Sequence, residues 1–240
     1  MTTSLRGISS MATRSLLAAL CKAYCEETGA AAEFEAAGGV EVPRRLRLGE
    51  TFDLVVLAEK ALQMLADEGL VIATSLAPFA LSPAAVAVRA GADRPAIGSD
   101  DELLRALRAA VTIGYSTGPS GDALLQWLER AGILPELRPR LLQAPPGFPV
   151  ARLVAEGKAE IGLQQLSELA GVDGVEVVGP LPAGMQLDTV FAAAICARSP
   201  RPQEARAFLG FLGSPAAAVA IDNAFMSPYR KRGATGATAT

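Results

Sequence analysis

The sequence predicts a two-lobed α/β protein: two mostly parallel sheets flanked by helices and joined by a hinge of two crossing segments. Two observations predict it. Strand-like and helix-like segments alternate along most of the 240 residues, the pattern of parallel sheets with right-handed crossovers. Two longer extended stretches, at residues 79–90 and 187–197, interrupt that alternation and are placed to cross between the halves. They divide the chain into a first lobe of residues 1–82 and 188–232 and a second lobe of residues 83–187. A Gly/Ala/Thr tail, residues 233–240, is expected to be disordered.

The elements follow in order. Ser4–Ile8 is a short strand, and Ala12–Thr28 a helix with apolar Leu16, Leu17, Leu20 and Tyr24 at helical spacing. Gly29 stops it as a glycine beyond a helix C-terminus does. A strand at Ala31–Glu35 breaks at Gly38-Gly39, and a helix runs to Leu48. Phe52–Leu57 is nearly all apolar, as befits a strand buried on both faces. Helix Glu59–Glu68 ends at Gly69, and residues 78–88 are extended. Ser99 followed by Glu102 is a capping box opening a helix to Arg108. Strands at 110–115, 138–143, 160–164 and 174–179 alternate with helices ending at Arg130 and Glu156. Pro202–Leu212 and Pro215–Phe225 are closing helices that return to the first lobe.

Composition excludes several classes. The net charge is −3, half the residues are hydrophobic, and the isoelectric point is near 5.2. Such a chain lacks the basic face of a nucleic-acid binder. The densest basic cluster, Arg44-Arg45-Leu46-Arg47, reads as a solvated helix face. No apolar run reaches the roughly 18 residues of a membrane span, so no direct membrane insertion is expected. Arg6 is followed by Ser, Thr and Gly rather than an apolar stretch, so no signal peptide is visible; the chain reads as cytoplasmic, or periplasmic if a leader has been removed. Cys21, Cys25 and Cys196 suggest no disulfide framework and read as small buried side chains. There is no histidine, which rules out Ser-His-Asp and Cys-His triads and every His-ligated metal. No metal or cofactor is expected.

In open α/β sheets, ligands bind beyond the carboxyl ends of strands, where helix N-termini present free N–H groups and a positive dipole end to anions. Four turns occupy such places: Ser9-Ser10-Met11, Ala37-Gly38-Gly39, Ser116–Gly121 and Pro145–Gly147. The third, read with its strand as Gly114-Tyr115-Ser116-Thr117-Gly118-Pro119-Ser120-Gly121, combines close-approach glycines with hydroxyls able to donate to an oxyanion. Arg14, one turn beyond Ser9-Ser10, has the reach to clamp a carboxylate. Gln164 and Gln165 end a strand, and one of the two side chains is expected to face the cleft.

These turns, in this order, resemble the type 2 periplasmic-binding-protein fold, and most of all the molybdate-type solute-binding proteins of ABC importers. The resemblance spans roughly residues 4–229 and rests on GISSMATRSLLAAL, AAGGVEVPRRLRLGETFDLVVLAEKAL, SPAAVAVRAG, TIGYSTGPSGDALLQWLERAGI, AEIGLQQLSEL and FLGFLGSPAAAVAI. It implies an anion held by Ser9 or Ser10, by Gly38 and Gly39, and by Ser120 with Gly121. It also implies ABC-importer membrane subunits as partners, and a monomer or weak dimer. The family's second turn usually carries a serine where this chain has Gly38-Gly39, and its late tyrosine is replaced by the Gln164-Gln165 region. Together with Arg14 and Tyr115, these departures suit a small organic acid as well as molybdate.

The expected function is capture of a small anion, organic carboxylate or oxyanion, by hinge closure. Members of this resemblance group are also similar to enzymes that move a double bond in polycarboxylates such as aconitate. That chemistry needs a base beside an acidic C–H; without histidine, Glu35, Asp53 or Tyr115 would have to serve. A cytoplasmic ligand sensor is the remaining alternative.

Overall fold

Residues 4–117, 119–185 and 187–230 are described by a computed structural model. The chain opens with β1 (Leu5–Ser10), a 3-10 turn at Met11–Thr13, α1 (Arg14–Thr28), β2 (Ala32–Ala37), α2 (Glu41–Arg47), β3 (Leu54–Ala58), α3 (Glu59–Asp67) and β4 (Ala77–Ser82). It continues with β5 (Ala84–Arg89), α4 (Asp100–Ala109), β6 (Ile113–Tyr115), α5 (Pro119–Arg130), α6 (Leu134–Leu137) and β7 (Leu141–Gln143). Next come α7 (Val150–Ala155), β8 (Ile161–Gln165), α8 (Leu166–Leu169) and β9 (Val175–Pro180). It closes with β10 (Thr189–Ile195), α9 (Pro202–Phe211), α10 (Pro215–Asn223) and β11 (Ser227–Pro228). The expected tail, 233–240, lies outside the described residues.

The strands form two sheets, ordered β11-β4-β10-β3-β1-β2 and β7-β6-β8-β5-β9. The first takes strands from both ends of the chain, and the second only from its middle. Only Pro83 separates β4 in one sheet from β5 in the other, and the chain returns between β9 and β10. The result is the two-lobed α/β fold, with one refinement. The pairings of β1 with β2 and β3, and of β6 with β7 and β8, are parallel. Every pairing that involves β4, β5 or β10 is antiparallel. The sheets are therefore mixed rather than mostly parallel. A segment passing between lobes enters each sheet against the direction of its β–α–β units, and only the antiparallel ladder accommodates it.

Local sequence sets the element ends. Gly29 adopts φ 72°, and its N–H donates to the Cys25 carbonyl, closing α1. Ser99 accepts from the Glu102 N–H while Glu102 reaches back to the Ser99 N–H, the capping box expected of α4. β3 is buried along its whole length, between parallel β1 and antiparallel β10.

Each lobe has its own core. In the first, Tyr24, Phe208 and Phe211 meet edge-on or tilted, with ring centroids 5.1–6.2 Å apart, and hold α1 against α9. In the second, Val86, Leu103, Leu107, Ile113, Leu128 and Leu163 pack α4 and α5 onto the sheet. Asp53 is buried at the foot of β3, where it accepts from the Arg6 N–H (2.9 Å), from Ser199 Oγ (2.8 Å) and from Arg201.

The basic run of α2 is tied to neighbouring carboxylates: Arg44 to Glu41, Arg45 to Glu35 and Glu50, and Arg47 to Glu68. The cysteine expectation needs correction. Cys196 is buried and Cys21 partly so, but Cys25 is exposed. Four residues advance a helix by 400°, and that extra 40° carries Cys25 past the buried stripe of α1.

Candidate functional site

The lobes face each other across a cleft of about 470 Å³. Its walls are the ends of strands and the turns beyond them. From the first lobe come Ser10 and Met11 after β1, Gly38 and Gly39 after β2, Ala58 at the end of β3, and Phe191 of β10. From the second come Ser116, Thr117 and Ser120 between β6 and α5, the turn Pro146–Pro149, and Gln164, Gln165 and Glu168 at the end of β8. Three helices of two turns or more begin at this cleft: α1 through its 3-10 turn, α3 after Ala58, and α5 beside Ser116. Their first N–H groups lack intrahelical partners, and each dipole end favours an anion by about 0.3–1 kcal/mol.

The polar side chains are few and held in place. Ser116 and Ser120, both buried, pair hydroxyl to hydroxyl at 2.9 Å. Ser10 Oγ is buried with no hydrogen-bond partner among the described residues. Gln164 Oε1 accepts from the Val150 N–H at 2.9 Å, which turns its amide nitrogen toward Glu168. Gln165 donates through Nε2 to Thr189 Oγ1 at 2.7 Å, while its buried Oε1 has no partner among the described residues. Glu168 is half-buried. Burial pushes its carboxyl up to about 7, opposed by the Gln164 hydrogen bond. The other carboxylate on the lining, Glu41, is held low by the hydrogen bond from Arg44. Among the described lining residues there is no Lys or Arg.

Of the residues singled out from sequence, the structure brings Ser10, Met11, Gly38, Gly39, Ser116, Ser120 and Gln164 together on this cleft. Gly118 lies outside the described residues. Four others stand elsewhere. Ser9 is buried beneath the turn, its hydroxyl directed to the Ser10 and Glu35 carbonyls, because successive side chains of β1 face opposite ways. Arg14 is exposed and off the lining, since the intervening 3-10 turn rotates the start of α1. Tyr115 is buried in the second lobe's core. Gly121 supports the turn from behind: a Cβ there would collide with the Ser116 carbonyl, so its role is close packing. The bases considered for isomerisation are displaced too. Glu35 is exposed and paired with Arg45 and Arg6, Asp53 is committed to its buried network, and Tyr115 is in the core.

Sequence reasoning missed Glu168, Phe148 and Phe191. Glu168 had an available signal. The chain beyond the carboxyl end of a strand faces the cleft, and Glu168 follows the end of β8 by three residues.

The match to known proteins decides the family. Bacterial extracellular solute-binding proteins match residues 5–226. The chain belongs to that family. An aconitate isomerase from a Pseudomonas species is 34% identical over 211 residues, covering 86% of this chain and 80% of the relative. Among solved structures, the periplasmic molybdate-binding protein of Azotobacter vinelandii superposes with a TM-score of 0.79 at 21% identity, covering 95% of this chain and all of that one. A sulfate-binding protein of Mycobacterium tuberculosis gives 0.73 at 19%, covering 94% and 87%. These two likenesses establish the fold. The family description is extracellular, so the cytoplasmic reading of the N-terminal residues gains no support from it. Among the described residues no helix is long and apolar enough to cross a membrane.

Proposed function

We propose that this solute-binding protein captures a small carboxylate or oxyanion between its lobes by hinge closure. The observation that carries this reading is the placement of hydroxyls from both lobes, Ser10 on one and Ser116 with Ser120 on the other, on one cleft where α1, α3 and α5 begin. An anion there is held by fixed dipoles and hydroxyl donors rather than by a cation, and closure strengthens both by excluding water. The apolar Met11, Phe148 and Phe191 favour a ligand with a carbon skeleton over a bare inorganic ion.

The test is thermal unfolding of the purified chain with molybdate, sulfate, citrate, and cis- and trans-aconitate. A ligand at about a hundredfold excess over its Kd stabilises the native state by about 2.7 kcal/mol, or roughly 5–10 °C at this size. Such a shift with the carboxylates is expected. No shift with any of the five would overturn the reading.

A second reading is favoured by a specific observation. Glu168, with a carboxyl near neutrality, lines the same cleft, and a relative at 34% identity is an aconitate isomerase. On this reading the captured acid is unsaturated, and its double bond is moved before release. Proton NMR of cis- and trans-aconitate incubated with the protein tests it: interconversion above the protein-free rate supports the reading, and none over days at high protein concentration excludes it.

A further inference from the structure

Resting on the isomerase reading, we propose that Glu168 is the group that carries the proton, acting as base and then as acid on the allylic carbons of an unsaturated carboxylate. The argument begins with geometry. Among the described lining residues the ionisable side chains are Glu41 and Glu168. Glu41 is bound through both oxygens to Arg44 at 2.7 Å. Glu168 carries no such clamp. It stands on the short helix after β8, steadied by Gln164, whose own amide is oriented by the Val150 N–H. Gln164 is thus a positioning residue. Ser167, one residue earlier, donates to the Ala12 carbonyl at 3.2 Å and brings α8 against the turn at Met11–Thr13, where the first lobe's N–H groups and Ser10 lie. Glu168 therefore lines the same cleft as the Ser10, Ser116 and Ser120 hydroxyls.

The step balances without a cofactor. The Glu168 carboxylate removes a proton from the methylene beside the double bond. The C–H pair forms a new C=C bond, and the original π pair moves onto the neighbouring carboxylate as a dienolate, stabilised by the Ser10, Ser116 and Ser120 hydroxyls. The same carboxyl returns the proton to the far carbon of the original double bond. One C–H bond breaks, one forms, and no electrons leave. A carboxyl raised to about 7 is present near neutrality in both forms the step uses, the carboxylate that takes the proton and the acid that returns it. The elements packed on α8 are β5, β8, β9, α7 and the Met11–Thr13 turn. Their charged residues are Arg89, Glu176 and Arg152, and the cleft adds Glu41.

The test is solvent-deuterium exchange into trans-aconitate, followed by proton NMR in wild type, E168Q and E168D, with ligand-induced thermal shifts measured alongside. Wild type is expected to exchange, with a rate that rises through about pH 7. E168Q is expected to lose about a hundredfold or more while keeping the thermal shift. E168D is expected to restore part of the rate and the pH limb. Exchange by E168Q at the wild-type rate would overturn the role of Glu168 and leave the isomerase reading standing. A wild type that binds trans-aconitate but neither exchanges nor isomerises it would overturn both. If E168Q fails to fold, an E168D rate and pH profile identical to wild type would overturn the proposal, and a slower rate with an altered limb would support it.

Discussion

Ser167 Oγ donates to the Ala12 carbonyl at 3.2 Å, joining the helix that follows the last strand of one cleft wall to the turn that follows the first strand of the other. The partners lie 155 residues apart in sequence and belong to different lobes. This bond joins the two lobes beside the cleft that Ala12 and Glu168 line.

S167A should therefore shift the hinge toward an open arrangement. A neutral hydrogen bond contributes about 1 kcal/mol, so anion affinity should fall about fivefold and the radius of gyration of the free protein should rise. Calorimetry and small-angle scattering check the two effects; if neither moves, the bond contributes nothing to closure.

The cleft hydroxyls and Arg14 give opposite expectations. Ser120→Ala removes one member of a buried pair on the lining and should weaken anion binding about tenfold or more, the scale of a hydrogen bond to a charged group. Arg14→Ala removes an exposed side chain off the lining and should change affinity less than twofold, for carboxylates and oxyanions alike. Calorimetry of both variants with citrate and sulfate is decisive: a large loss confined to carboxylates in the Arg14 variant would return that residue to the site.

Asp53→Ala takes from Arg201 its carboxylate partner and removes the acceptor of Ser199 Oγ and the Arg6 N–H. Breaking a buried charge pair costs about 3–5 kcal/mol. Urea unfolding should show a loss of that order, and a loss under 1 kcal/mol would mean the network relaxes freely.

Glu168 should leave its mark on stability as well. Its carboxyl moves from an ordinary 4.5 to about 7 in the folded protein. Between those values the native chain keeps a proton that the unfolded chain has released, so this group makes stability fall as pH rises from about 4.5 to about 7. E168Q lacks that slope. The stability of E168Q relative to wild type should thus increase across the window, and a constant difference in urea melts at pH 4.5, 6 and 7.5 would contradict it. Exposed carboxylates such as Glu35, held low by Arg45 and Arg6, act in the other direction at lower pH and cancel in the comparison.

Much of the architecture was legible in the sequence because it is written in local, periodic signals. The capping box at Ser99, the glycine after α1, and the apolar run of β3 each act within a few residues, and each element formed where its signal lay. The turns after β1, β2 and β6 were legible as cleft-lining because strand ends and helix starts converge in this class of fold. Short pieces were less so: α8 has four residues and β11 two, too few to show a period.

What the sequence by itself determined was the alternation of elements, the two-lobed α/β class, and the serine and glycine turns that reach the cleft. Tertiary structure decided the rest: the antiparallel insertion of β4, β5 and β10, the burial of Ser9 beside cleft-lining Ser10, the outward turn of Arg14, and the packing of α8, which carries Glu168, against the Met11–Thr13 turn. The physical reason is range. Capping, periodicity and turn geometry are fixed by neighbours in the chain, whereas which face of a strand end becomes buried and the environment of a lone carboxyl depend on elements that only the fold brings together.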